Sequence, residues 1–250
     1  MNQTSDHGTD TVERLSPETL SQLVQQSPDV EGRSKKLWMV GESRCVTELV
    51  PSLRSYTYER DELVDGTAEL RLDFYETVAD WIEAAGVRTA FVRRLDKLRY
   101  LAEYRPASPF EVIVKNVATG STTKKYPGLF DEGHRFSRPV VKFDYRIDPE
   151  DQPIGEDYLA ELGVPVVELK DIALRCNTVL TERLAPLDLW DFCLVIGQDA
   201  GGYSIISEIS PDCMRLKGPD GHSWDKDLFR HGADGAQIRQ AWQQLIERVS

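Results

Sequence analysis

The run "DFCLVIGQDAGGYSIISEISPDCMRL", from Asp191 to Leu216, constrains the fold more than any other stretch of the chain. It predicts a strand, a tight turn and a second strand, followed by a polar "SPDCMR" that no hydrophobic core requires. Residues two apart on a strand share a face, so Asp191, Cys193 and Val195 look one way while Phe192, Leu194 and Ile196 look the other. The second set is core. The first set is not, yet it holds a single carboxylate beside two residues with little charge chemistry.

A second strand is equally legible. After Pro109, "FEVIVKNV" alternates: Phe110, Val112 and Val114 on one side, Glu111, Ile113 and Lys115 on the other. It runs into the small-residue turn "ATGS". Around Gly41, "KKLWMVGESRCVTELV" predicts two short strands joined by a glycine turn. Helices are expected in "SPETLSQLVQQS", with Ser16 as N-cap and Pro17 in the first turn, and in "ETVADWIEAAGV", ended by Gly86. Two more follow: residues 171–184, through Ile172, Cys176, Val179 and Leu180 and stopped by Pro186, and a terminal amphipathic helix marked by Ile238, Trp242, Leu245, Ile246 and Val249. Residues 1–14 are polar and predict no fixed structure. Strands precede mixed helices without βαβα alternation, which points to an α+β fold rather than a doubly wound parallel sheet.

Composition narrows the partners. The 250 residues suffice for one large domain or two small ones sharing a cleft. A net charge of −12 argues against a nucleic acid or an anionic membrane surface, and no run approaches eighteen apolar residues. Any phosphate must be met by local arginines and lysines. The cysteines Cys45, Cys176, Cys193 and Cys213 make no CxxC pair, and the histidines do not cluster. A reduced, cytoplasmic protein without a structural metal is the expectation.

Three stretches carry chemistry. Lys115 lies at a strand end before Gly120 and Ser121, and backbone N–H groups, a hydroxyl and a cation together suit a phosphate. Asp212 and Arg215 flank a proline turn directly after a buried strand, although an Asp–Arg pair is more often a surface ion pair of small worth. "GPDGHSWDKDLFR" offers His222, whose plain reading is a solvated histidine. Free cysteines usually behave as small buried hydrophobes, which is the plain reading of Cys193 and Cys213.

These segments, in this order, resemble SAICAR synthetases, purine-pathway ligases that join aspartate to a carboxyaminoimidazole ribonucleotide using ATP. "PFEVIVKNVATGS" is similar to the family signature P-x-E-x-V-V-R-N-x-A-A-G-S, and "LWDFCLVIG" to L-V-D-F-K-L-E-F-G. "SEISPDCMRL" and "DKDLFR" match D-E-x-S-P-D-x-x-R-L and D-K-D-R-F-R. The correspondence spans residues 37–248. It implies a tail with a short helix (1–33), a small antiparallel β-rich domain (34–106) and a larger α+β domain (107–250), with nucleotide sites in the cleft between the two domains. Carried over residue by residue, the imidazole nucleotide would meet Glu111, Lys115, Ser121, Asp212 and Arg215, with Arg230 as a weaker contact. Lys115 stands in for the family's arginine, so the charge is kept and the bidentate fork is lost.

The ATP side departs from the family. The positions of the family's strand lysine, its strand glutamate and the first acid of D-E-x-S-P-D hold Cys193, Val195 and Ser207. The glycine loop G-K-x-K is Gly41-Glu42-Ser43-Arg44, and K-G-x-x-N-N appears as "TAELRL". Magnesium prefers carboxylates and phosphate oxygens, and phosphoryl transfer rests on metal and cation stabilisation. The expectation is therefore an enzyme that needs neither ATP nor magnesium and performs acid–base chemistry on an aminoimidazole or purine-type ribonucleotide. Cyclisation, dehydration or ring rearrangement would qualify, in a setting such as nucleoside antibiotic biosynthesis of the coformycin type. Asp191, Glu208, Asp212 and Cys193 are its candidate catalytic groups, with Glu42 and His222 behind them. The runner-up is a diverged ADP-forming C–N ligase that uses ATP and holds its metal through Asp148 and Asp151. A third reading is a binding or regulatory protein without catalysis. The expected partner is a phosphorylated small molecule, with a homo-oligomer left open.

Overall fold

A computed structural model describes residues 15–55, 58–148 and 150–249, leaving the 1–14 segment outside the described residues. The chain opens with helix α1 (Pro17–Leu23), capped as expected by Ser16, whose Oγ accepts from the Thr19 amide. Strands β1 (Val30–Glu31), β2 (Lys35–Val40) and β3 (Arg44–Leu49) follow, then the hairpin β4 (Ser52–Ser55) and β5 (Arg60–Leu63). Helix α2 (Thr67–Ala84) precedes β6 (Phe91–Arg94) and β7 (Arg99–Glu103). The antiparallel order β1-β2-β3-β7-β6 makes the first sheet. The β2–β3 turn is the glycine turn that the sequence predicts, with Gly41 at φ 66°. A side chain with a Cβ rarely adopts that conformation.

The second sheet uses β8 (Phe110–Val117), β9 (Arg135–Tyr145), β10 (Gln152–Ile154), β11 (Asp188–Leu194) and β14 (Met214–Lys217), in the order β10-β9-β8-β11-β14. Between these strands lie the short helices α3 (Ser121–Lys125) and α4 (Glu156–Glu161), and the long helix α5 (Val166–Arg183). A small hairpin, β12 (Ile196–Asp199) and β13 (Gly202–Ile205), leads to a 3-10 turn at Pro211–Cys213. Helices α6 (Asp227–Arg230) and α7 (Gly235–Val249) close the chain. The sheets are antiparallel and the helices lie around them, an α+β arrangement.

Four expectations need correction. The stretch after Asp191 is two strands rather than one, because Val195 interrupts β11 and β12. Ser207 and Glu208 lie beyond the end of β13, in the loop before the 3-10 turn, and not on the return strand. "TAELRL" forms the first turns of α2, and α5 starts five residues earlier than its apolar spacing indicated, at Val166 just after Pro165. Proline sets φ for a helix start.

Alternation sorts the faces as predicted. Phe110, Val112 and Val114 are buried, as are Phe192, Leu194 and Ile196. One apolar core joins Cys45, Leu49 and Leu72 to Phe192, Leu216 and Leu245. A smaller cluster sets Leu53 against Phe229, Ile238 and Trp242, and so fastens the β4–β5 hairpin to α7. Trp242 is wholly buried. Trp242→Ala should cost about 3–5 kcal/mol through lost transfer energy and a cavity, read as a lower urea midpoint with an unchanged slope.

Candidate active-site cleft

A cleft of about 1430 Å³ opens between the two sheets, lined from β2, β3 and β7 on one side and from β8, β11 and the 3-10 turn on the other. Its floor is set by strand register. Lys115 on β8 pairs with Asp191 on β11, and Asp191 pairs with Arg215 on β14. Directly opposed residues on neighbouring antiparallel strands share a face, so a cation, a carboxylate and a second cation stand in one row across the sheet. Asp191 Oδ2 accepts from Lys115 Nζ at 2.7 Å and from Arg215 Nη1 at 2.7 Å. Burial opposes the Asp191 charge, but Arg215 and Lys115 outweigh it and hold the carboxyl below the usual range.

The row extends through Arg215. Its guanidinium lies so close to Gly120, at the start of α3, that a Cβ there would come within 2.6 Å of Nη2. Gly120 also has φ 59°, so only glycine suits this corner. Ser121 lines the cleft next to it. On the far side, Asp227 gathers Arg215 (3.3 Å), Lys217 (2.8 Å) and Arg230 (2.7 Å). Burial works against the Asp227 charge and the cations overcome it, so its pKa falls; burial and the Asp227 charge push Asp225 up to about 7. Asp212 pairs with Lys226 at 2.9 Å. Glu111, half-buried on the cleft face of β8, is pushed up by burial and then by the charge of Asp151.

Glu208 belongs to a different cluster. It meets Lys35 of β2 at 2.5 Å and Arg71 of α2, whose other nitrogen donates to the Val50 carbonyl at 2.9 Å. Burial would raise its pKa, but Lys35 and Arg71 bring it down to about 2. The structure thus brings together Asp191, Lys115, Arg215, Asp212, Ser121, Arg230, Glu111 and Cys193 along one cleft, with Glu208 at its edge. Two candidates lie elsewhere. Glu42 is exposed at the tip of the β2–β3 turn, and His222 is exposed beside Trp224, in a shallow depression outside the cleft.

The positions that the resemblance assigns to a metal are neighbours. The Val195 amide donates to Ser207 Oγ at 2.9 Å, and the Ser207 amide donates to the Val195 carbonyl at 3.3 Å. An aliphatic side chain and a hydroxyl already engaged by an amide do not suit a magnesium ion, which takes carboxylate and phosphate oxygens. Cys193 adds no anion: hydrogen bonding to Cys213, then burial, push its pKa well above that of an ordinary thiol. Among the described residues, no three His, Cys, Asp or Glu side chains gather into a metal site, Asp148 and Asp151 included.

Arg71, Lys35 and Asp227 were not singled out from the sequence. Arg71 sits in a helix whose neighbours are apolar and whose partner comes from far along the chain. Asp227 stood in plain view in "DKDLFR".

Glu208→Gln should lower stability by about 3–5 kcal/mol, because it strands the buried Arg71 charge. Glu208 has a folded pKa below its unfolded value, so its contribution is complete above about pH 4.5 and fades as the pH falls toward 2. Urea titrations at pH 7 and pH 3 should therefore show a large difference between wild type and variant at pH 7 and a smaller one at pH 3.

Comparison with known proteins gives the family and the fold. The family model for SAICAR synthetase matches residues 29–249. The phosphoribosylaminoimidazole-succinocarboxamide synthase of Methanocaldococcus jannaschii is 30% identical over 220 residues, covering 84% of this chain and 90% of that one. That of Halalkalibacterium halodurans is 31% identical over 229 residues, covering 88% and 95%. Among solved structures, a SAICAR synthetase in complex with ADP superposes with a TM-score of 0.82 at 27% identity, covering 88% of this chain and 97% of that one. The Pyrococcus horikoshii SAICAR synthetase gives 0.79 at 27% identity, covering 86% and 96%. With the family's pattern running from the first sheet to the last helix, this chain belongs to the SAICAR synthetase family.

Proposed function

We propose that the chain binds a phosphorylated aminoimidazole or purine-type ribonucleotide and performs proton-transfer chemistry on it without ATP: a cyclisation, dehydration or ring rearrangement. The observation that carries this reading is the contrast between the two ends of the cleft. One end keeps a row of Lys115, Asp191 and Arg215 with Ser121 beside it. The other has Val195 and Ser207 bonded to each other where the family would hold a metal. Nucleoside antibiotic biosynthesis is the setting in which we place such chemistry.

The roles follow from the electrostatics. A substrate phosphate at the Gly120–Ser121 turn would meet the Arg215 guanidinium that lies against it. Asp191 is held ionised between two cations, so we assign it to orienting Lys115 and Arg215 rather than to moving protons. Glu208, lowered to about 2, holds Lys35 and Arg71 in the same way. Glu111 is the better proton-transfer group, because burial raises its proton affinity, whereas paired cations lower that of Asp191 and Glu208. Asp212 stands at the 3-10 turn on the cleft wall, tied to Lys226.

A second reading, an ADP-forming ligase, draws on the identity shared with the named synthases along most of the chain and on Asp148 and Asp151 at the cleft rim. Ligand-induced stabilisation separates the two. A ligand at 100 times its dissociation constant adds about 2.7 kcal/mol. Magnesium-ATP at millimolar concentration should leave the melting temperature unchanged, while an aminoimidazole ribonucleotide raises it and its unphosphorylated nucleoside does so less. Micromolar affinity for magnesium-ATP in a calorimeter would restore the ligase.

Two variants test the assignments. Arg215→Ala should weaken nucleotide binding about ten- to a hundredfold, the equivalent of about 1.5–3 kcal/mol for a charge-assisted contact. Glu111→Gln should lower turnover about 10²- to 10⁴-fold with affinity nearly kept. Full turnover in Glu111→Gln would move the proton transfer to another residue.

A further inference from the structure

The β11–β14 register ends with Phe192 facing Met214, and Cys193 and Cys213 are the next residues on the two segments, Cys213 closing the 3-10 turn that leads into β14. Cα atoms of the last facing pair lie about 4.5–5.5 Å apart, and a disulfide spans about 4.4–6.8 Å, so the two cysteines flank a point where the segments are within bridging range. Interaction with Cys213 is the first cause that raises the Cys193 thiol's pKa, as expected of two neighbouring sulfurs. Both cysteines are free, partly exposed and on the wall of the cleft. Cys176 is buried in the core. Cys45 also lines the cleft but is buried on β3, next to the Thr47 hydroxyl at 3.6 Å.

We propose that Cys193 and Cys213 are a redox modification site, joined by a reversible disulfide across the floor of the cleft. The co-reactant is a small disulfide such as oxidised glutathione. Both S–H bonds break and one S–S bond forms between the two Sγ atoms. The two electrons reduce the oxidant's own S–S bond, and its two sulfurs leave as thiols carrying the two protons.

The bond would be felt at the turn. Cys213 Sγ accepts from the Ser210 amide at 3.2 Å and donates to the Ser210 carbonyl at 3.2 Å. A disulfide sulfur has no proton to donate, so oxidation removes the second of these bonds. The turn it weakens carries Asp212 and leads directly into β14 and Arg215. Oxidation state thereby couples to the cleft without any change in the strands themselves.

The test needs no substrate, so it stands apart from the proposed reaction. The reduced full-length chain is incubated with oxidised glutathione, denatured, alkylated with a maleimide and analysed by intact mass and peptide mapping. The expected product has lost two hydrogens, takes up two maleimides instead of four, yields a joined Cys193–Cys213 peptide pair and reverts with dithiothreitol. Cys193→Ser, which keeps the Cys213 cap, should form no internal cross-link and instead carry glutathione on Cys213. In hydrogen exchange, the amides of Asp212 and Cys213 should open about tenfold more readily in the oxidised form. A cross-link mapping to Cys45 or Cys176, or four maleimides after oxidation, overturns the site. Unchanged exchange in the oxidised chain overturns its coupling to the turn.

Discussion

The Asp191 carboxylate, held between Lys115 and Arg215, is the interaction on which the cleft depends. All three side chains sit at facing positions on adjacent strands, so the pairing of β8, β11 and β14 and the placement of charge are one event. Asp191 is 5% exposed and Lys115 is 3% exposed. At that depth, removal of the carboxylate would leave Lys115 with no counter-charge and Arg215 with Asp227 alone, which costs far more than the net worth of the pairs. The row also fixes what the cleft offers to a ligand. Lys115, Arg215, Lys217 and Arg230 face two fully ionised acids, Asp191 and Asp227, while Asp225 is raised to about 7 and carries less than a whole charge at neutrality. A chain with net charge −12 thus keeps a local positive excess, set against a glycine turn. An anion is the ligand that such a field selects.

At the other end of the cleft, a buried acid engages two of the cations. Arg71 is wholly buried and Lys35 largely so, and Glu208 binds both. Their charge is directed into the joint between α2, β2 and the 3-10 turn. Leu37, Ala102, Ile113, Val195 and Ile206 line the space between. A polyphosphate placed there would be desolvated against aliphatic surface, with its nearest cations already engaged.

How much of this was legible depends on range. Period-2 alternation identified β8 and β11 and their core faces, because that signal is local to each strand. The family signatures then located the residues of the row. What no local pattern carries is pairing between distant segments. Arg71 with Glu208, Arg215 against Gly120 and Cys193 with Cys213 are all contacts that exist only after the sheets assemble. The sequence also presented Asp191 and Glu208 as free acids available for proton transfer. Each turned out to be flanked by two cations, and a carboxylate's proton affinity is set by those neighbours rather than by its identity. Glu111, read from the sequence as a binding residue, gained its raised proton affinity the same way, from burial on β8 beside Asp151.

The replacements at 195 and 207 make physical sense as a pair. The two positions are joined by hydrogen bonds at 2.9 and 3.3 Å, so carboxylates placed on both would lie close enough to repel. A cation between them relieves that repulsion, and without one the pair raises its own pKa or destabilises the loop. Valine and serine need no such cation: Val195 is a partly buried aliphatic on the cleft wall, and Ser207 uses its hydroxyl to satisfy the Val195 amide at the break between β11 and β12. The break itself would otherwise leave that amide without a ladder partner. One serine therefore closes the strand interruption locally. The row at Asp191 holds its own balance of charge four residues before Val195, so that balance does not depend on what occupies positions 195 and 207.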